Sequence, residues 1–316
     1  MDADLQAVAR RVLEENMGVH ADESLLVVTD TDKRAIGHAL FDAGVELGLD
    51  AGVIETRPLE RSGMEPPAYV AAGMQAADVV VCPTSASLTH TRAREAATEA
   101  GARVATMPDI TERMIGEGAI TADYGEVERL TAEMTNRLTS ADEARIESRG
   151  ETLRMSLAGR DGIPSDGLIR KVGDSGNLPS GESYVAPVEN TAEGAIAFDG
   201  GLVGVGELED PLVVSIESGT ITSVEGEATE EFLDATADDD CAKRVAELGI
   251  GTNPAAEIIG TVLEDEKVYG TCHVAFGDNH GFGGTIECDS HLDGIVLEPD
   301  VYLDDELVVT GGDVVV

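Results

Sequence analysis

Tryptophan is absent from these 316 residues, phenylalanine and tyrosine number five each, and the basic residues are few, with lysine only at Lys33, Lys171, Lys243 and Lys267. Against 21 basic residues stand 62 acidic ones, for a formal net charge of −41. A surface of that sign cannot neutralise phosphates, which excludes nucleic acid and anionic membranes as partners. No apolar run approaches the ~20 residues needed to cross a bilayer. Met1–Gln6 lacks the basic stretch that opens a secretory leader, so a cytoplasmic protein is expected. Cysteine is scarce as well: Cys82, Cys241, Cys272 and Cys288 show neither framework spacing nor a CxxC pair. Four free thiols in a reducing compartment are therefore expected. Neither a phosphate-binding GxxxxGK[ST] loop nor a GxSxG nucleophile elbow occurs. The acidity itself fits a salt-rich, halophilic cytoplasm, because at about 1 M salt the Debye length is only about 3 Å and self-repulsion is screened.

What is present is enough apolar material for real cores, 42% of the chain, and a length that suggests two domains at roughly 150 residues each. The first half alternates short β runs with amphipathic segments. Ser24–Thr29 reads as a buried strand, and Asp32–Leu47 carries Ala35, Ile36, Ala39, Leu40 and Ala43 on one helical stripe closed by Gly48. Asp78–Cys82 and Arg103–Thr106 continue the pattern, which predicts a doubly wound parallel sheet. Beyond a helix over about Asp123–Thr139 the texture changes. Glycine becomes frequent, and Val213–Glu217 and Thr220–Val224 flank Ser218-Gly219 as a hairpin. The fold class is therefore α/β: a Rossmann-like or flavodoxin-like domain over 1–147, then an α+β metal-binding domain with antiparallel strands over 148–316.

Histidine placement carries the chemistry. His273, His280 and His291, three of the six, lie close together beside Asp278, Asp289 and Asp293, and imidazoles clustered with carboxylates signal a metal site. On a strand over Thr271–Gly277, His273, Ala275 and Gly277 share one face while Cys272, Val274 and Phe276 share the other. On a second, Ser290–Leu297, His291 and Asp293 point the same way. The competing reading is of ordinary strand histidines among solvated aspartates. Glu182, in a Pro- and Gly-shaped loop, and Glu247, in an apolar glycine-rich segment, are each more simply surface charges when taken alone.

The succession NLPSGESYVAP (Asn177–Pro187), AELGIGTNP (Ala246–Pro254), CHVAFG with GDNHGFGG (Cys272–Gly284) and SHLDG (Ser290–Gly294) resembles, in order and approximate spacing, the second half of the aminopeptidase T/aminopeptidase S family of metallopeptidases. That resemblance implies two divalent ions, zinc, cobalt or manganese, held by Glu182, Glu247, His273, His291 and Asp293. His280 stands where the family has a tyrosine, and is assigned there as sixth ligand and catalytic group. Glu182 is the candidate general base, on a loop mobile enough to approach either side. Three carboxylates against two divalent ions leave a charge of about +1, which a bridging hydroxide brings to about zero. The resemblance implies a metalloaminopeptidase releasing N-terminal residues from short peptides, and a homodimer.

His273, His291 and Asp293 are equally the ligand set of a non-haem iron oxygenase with open positions. Ring-cleaving dihydroxypyridine dioxygenases resemble the same metallopeptidases in this half, which keeps that alternative open. One iron with oxygen uptake would favour the dioxygenase, and two zinc-like ions the hydrolase, toward which Glu182 and Glu247 tilt the balance. A structural zinc on Cys272 and Cys288 is a third reading, opposed by the outward turn of Cys272 from His273.

Overall fold

The computed structural model describes residues 3–203, 205–236 and 240–315. They fall into two compact units, Met1–Glu128 with Gly167–Ser180 and Arg129–Asp166 with Gly181–Val316. The chain thus crosses between units three times, where a single cut near 147 was expected. The cause is local: after entering the second unit the chain returns to add Ser175–Asn177 as a fifth parallel strand beside Arg103–Pro108.

In the first unit the strands Asp50–Thr56, Ser24–Asp30, Val79–Thr84, Arg103–Pro108 and Ser175–Asn177 lie side by side in that order, all parallel. The near-continuous apolar runs of the central strands follow from helices covering a parallel sheet. The helix Arg34–Glu46 buries Ile36, Ala39, Leu40 and Ala43 of the predicted stripe, while Ala35 in its first turn is exposed, and Gly48 beyond it adopts φ +85°. Thr91 caps the helix Arg92–Glu99 by accepting a hydrogen bond from the Arg94 amide, a contact worth about 1 kcal/mol. No helix among the described residues is long and apolar enough to cross a membrane.

The second unit holds two antiparallel sheets, one of eight strands and one of seven. Their facing sides share one core, in which Ile146, Leu153, Ile196, Phe198 and Val214 meet Val185, Leu248, Ile250, Val274, Phe276 and Val296. Each such side chain contributes about 1.5–3 kcal/mol by leaving water. The hairpin at Ser218-Gly219 forms as predicted, both residues at positive φ. In the seven-stranded sheet the central neighbours run Gly201–Leu202, His291–Val296, Cys272–Gly277, Val245–Gly251, Glu182–Val185 and Ile163–Ser165. Since alternate residues of these strands fill the core, the intervening ones are committed to the opposite face.

The cysteines correct one expectation. Cys82 and Cys272 are free and buried, but Cys241 and Cys288 form a disulfide with Cα atoms 5.8 Å apart, within the range a bridge requires. Their separation of 47 residues concealed the pairing. The turn before Val245–Gly251 and the loop before His291–Val296 meet at the same end of the sheet, where the Gly277 amide also donates to the Arg244 carbonyl.

Candidate metal centre

Strand register decides which donors meet. On Cys272–Gly277, Cys272, Val274 and Phe276 enter the core, so His273 and Ala275 take the other face. Ala275 pairs with both Glu247 and Asp293, Gly277 with His291, Gly249 with His273 and Tyr184, and Gly251 with Glu182. Every donor therefore has a small residue beside it across the ladder, which leaves room for the side chains to lean together. At Gly249 the room is essential, for a Cβ there would lie 2.0 Å from His273 Nε2. A bulge between Val245 and Glu247 re-aims the strand just before the glutamate, as bulges beside functional sites do.

The structure brings together five of the six predicted donors. His273 Nε2 lies 3.2 Å from Glu247 Oε1 and 3.5 Å from Glu182 Oε2. His291 Nε2 lies 3.3 Å from both Glu247 Oε2 and Asp293 Oδ1. Glu247 thus sits between the two imidazoles, and His273, Glu247 and Glu182 are 1%, 6% and 7% exposed. His280 is not among them. It opens the short turn His280–Phe282, its side chain 64% exposed and 3.8 Å from Glu287, because the strand ends at Gly277 and the chain turns through the buried Asn279 before His280. Glu182 departs from expectation in another way: it begins the strand Glu182–Val185 and is fixed there, with no mobile loop to carry it between two sides of a site.

Two residues to which the motif reading gave no role, Lys267 and Tyr184, complete the cluster. Lys267, fully buried, places Nζ 3.0 Å from Glu182 Oε1 and contacts Glu266. Its sequence setting, the acidic run Glu264-Asp265-Glu266, gave only the signal of a solvated charge cluster. Tyr184 follows Glu182 by two and shares its face. Its ring meets Phe282 edge to face at 5.4 Å, and Phe282 meets the His291 ring at 5.9 Å.

The electrostatics follow from mutual burial. Burial presses His273 toward its neutral form, but the hydrogen bond to Glu247 and the charges of Glu182 and Glu247 outweigh it and raise its pKa to about 9. His291 is likewise raised, with Asp293 and Glu247 prevailing over burial. Glu247 and Asp293 are held low by the same imidazoles, against the desolvation that would raise them. Glu266 is pushed up to about 8 by burial, with Lys267 opposing and Glu182 and Asp293 adding.

This donor set fits a divalent metal ion. Bonds of about 2.1 Å put neighbouring donors about 3.0–3.4 Å apart, the spacing the nitrogens and oxygens already show. His291 Nδ1 faces the Asp278 carbonyl at 2.8 Å, so Nδ1–H donates there and Nε2 is left as the ligand atom. Glu182 Oε2 and His273 Nδ1 are buried without a hydrogen-bond partner, an uncommon cost at a cluster whose other atoms are committed to one another.

Fold and site together define an α/β protein with a buried carboxylate–imidazole centre able to take a metal ion. The chain belongs to the 2,5-dihydroxypyridine 5,6-dioxygenase family (NicX), whose model matches residues 4–316, and is accordingly an enzyme. It is 27% identical over 261 residues to the 2,5-dihydroxypyridine 5,6-dioxygenase of Pseudomonas putida, covering 77% of this chain and 72% of that protein. The solved 2,5-dihydroxypyridine dioxygenase structure from P. putida KT2440 superposes with a TM-score of 0.85 at 21% identity, covering 100% of this chain and 98% of that one. Wild-type AmpT from Thermus thermophilus follows with a TM-score of 0.75 at 18% identity, covering 99% of each chain. The resemblance to the aminopeptidases therefore stands at the level of fold, while family membership lies with the dioxygenases.

Proposed function

We propose that this protein is a non-haem iron dioxygenase that opens the ring of a hydroxylated pyridine, with His273, His291 and Asp293 holding the metal. The observation that carries this reading is one sheet face on which the ligand atoms of His273, Asp293 and Glu247 lie within 4.8 Å of one another and His291 lies 3.3 Å from Asp293, in a chain matched almost end to end by a dioxygenase family. Ferrous iron in such a set supplies the redox chemistry that lets dioxygen react with an organic ring, and keeps coordination positions open. The rest falls to side chains. Tyr184 and Phe282 form an aromatic wall beside His291, suited to seating a flat ring edge-on or stacked. Burial and the nearby Glu247 and Glu182 charges raise the Tyr184 phenol well above its ordinary range. It therefore stays protonated and serves as a hydrogen-bond donor to a ring oxygen. Glu247, between the imidazoles, orients both and offers a carboxylate to accept a proton from a substrate hydroxyl.

This reading replaces peptide hydrolysis, for which Glu182 would have to be free to move a proton; here it is paired with Lys267. The test is direct. Protein loaded anaerobically with ferrous iron, then mixed with 2,5-dihydroxypyridine and oxygen, should consume one dioxygen per ring lost, followed by an oxygen electrode and by the ring's ultraviolet absorbance. Absence of oxygen uptake, together with amine release from aminoacyl-arylamides by the zinc-loaded protein, would return the peptidase reading.

A further inference from the structure

The donors gathered on the sheet face are more numerous than one ion needs. Two overlapping groups of three have their ligand atoms within 4.8 Å of one another: Glu247, His273 and Asp293, and Glu182, Glu266 and His273. Such a pair of groups sharing one residue is what a two-ion site would look like. The second group, however, already surrounds a cation. Lys267 Nζ lies 3.0 Å from Glu182 Oε1 and in contact with Glu266, and the side chain is wholly buried.

The backbone leaves that ammonium little freedom. The Lys267 amide donates to the Glu264 carbonyl, and the Lys267 carbonyl accepts from the Asn253 amide at 2.9 Å. The lysine is thus held on both sides just beyond the short helix Val262–Asp265. A buried charge is retained where it is paired and hydrogen-bonded, and Lys267 has two carboxylates to pair with.

We propose that Lys267 is a built-in cation occupying the second of two cation positions, so that Glu182 Oε1 and Glu266 are held by the ammonium and the chain binds one divalent ion. The inference rests on reading His273, His291 and Asp293 as the ligands, and is independent of the substrate. A divalent ion beside Glu182 and Glu266 would meet the ammonium at close range and lose both carboxylates to it. Lys267 is therefore a positioning residue: it acts on the metal by taking ligands away, and it makes the difference between a one-metal and a two-metal site.

The experiment reads ion stoichiometry and leaves activity aside. Metal-stripped wild-type protein titrated with cobalt or zinc, by calorimetry and by elemental analysis after desalting, should bind one ion per chain. Lys267→Asn, purified in the presence of the same ion and checked by circular dichroism, should bind two, while Lys267→Arg should stay at one. Glu182→Gln, which keeps the lysine, should leave stoichiometry at one. Two tightly bound ions in wild-type protein, a folded Lys267→Asn variant that remains at one, or two ions in Glu182→Gln would each overturn the proposal. If Lys267→Asn does not fold, the wild-type and Glu182→Gln titrations decide. Failure of oxygen uptake with a one-ion result would count against the dioxygenase reading alone.

Discussion

Asp30, at the carboxyl edge of the parallel sheet, is as buried as the donors of the metal centre, 2% exposed against 6% for Glu247. The two carboxylates differ in what satisfies them. Asp30 Oδ1 accepts from the Asp32 and Lys33 amides and the Ser85 hydroxyl, and Oδ2 from the Ser85 amide. It stitches the end of one strand to the next, with three of its four hydrogen bonds coming from backbone amides. Glu247 is held only by two imidazoles that are themselves crowded by carboxylates. The edge position where doubly wound sheets often bind ligands is here self-contained, and the binding capacity sits on an antiparallel face. Burial of a charge thus separates structure from function only when its partners are counted.

That contrast can be broken most forcefully at the ligands. His291→Ala should lower divalent-ion affinity by more than about 100-fold, a larger loss than removing a residue that merely supports a ligand, as read by competition with a chromophoric chelator. Next is pH. In metal-free protein the pairing of His273 contributes fully below its ordinary pKa of about 6.5 and is lost as pH rises through about 9, a difference of up to about 3 kcal/mol. The melting temperature of stripped protein should fall across that window, and metal-loaded protein should not follow it. A stripped protein that gains stability there would contradict the buried pairing. Asp30→Ala should cost about 1–3 kcal/mol in urea unfolding by stranding the Asp32 and Ser85 amides, with metal stoichiometry unchanged. An altered stoichiometry would blur the distinction between the two carboxylates. The smallest effect belongs to Phe282→Ala, which removes an aromatic contact worth about 1 kcal/mol and should raise KM about fivefold with little change in kcat.

The strand faces were legible because alternation is local: Val274 and Phe276 commit His273 to the other side, and Leu292 and Val296 do the same for His291 and Asp293. Glu182 and Glu247 could be placed only through the family resemblance, since register between strands far apart in the chain is not written in either one. His280 misled because it was assigned from the position of the family's tyrosine, whereas here the strand stops at Gly277 and its side chain is exposed. Lys267 was hidden by its acidic neighbours, and Cys241 and Cys288 by the strands that lie between them. In each case the missing information was a tertiary contact, and the composition that made the chain look uniformly acidic obscured the one cation that matters at its centre.

Gly249 holds no ligand atom, yet a methyl group there would stand 2.0 Å from His273 Nε2. The strand next to the ligand thus acts as a gauge on the coordination sphere. Gly249→Ala would evict an imidazole while leaving every donor in the chain intact. The capacity to hold a metal can therefore be lost by adding atoms as readily as by removing them, and a search for its determinants confined to side chains that could coordinate would pass over this glycine.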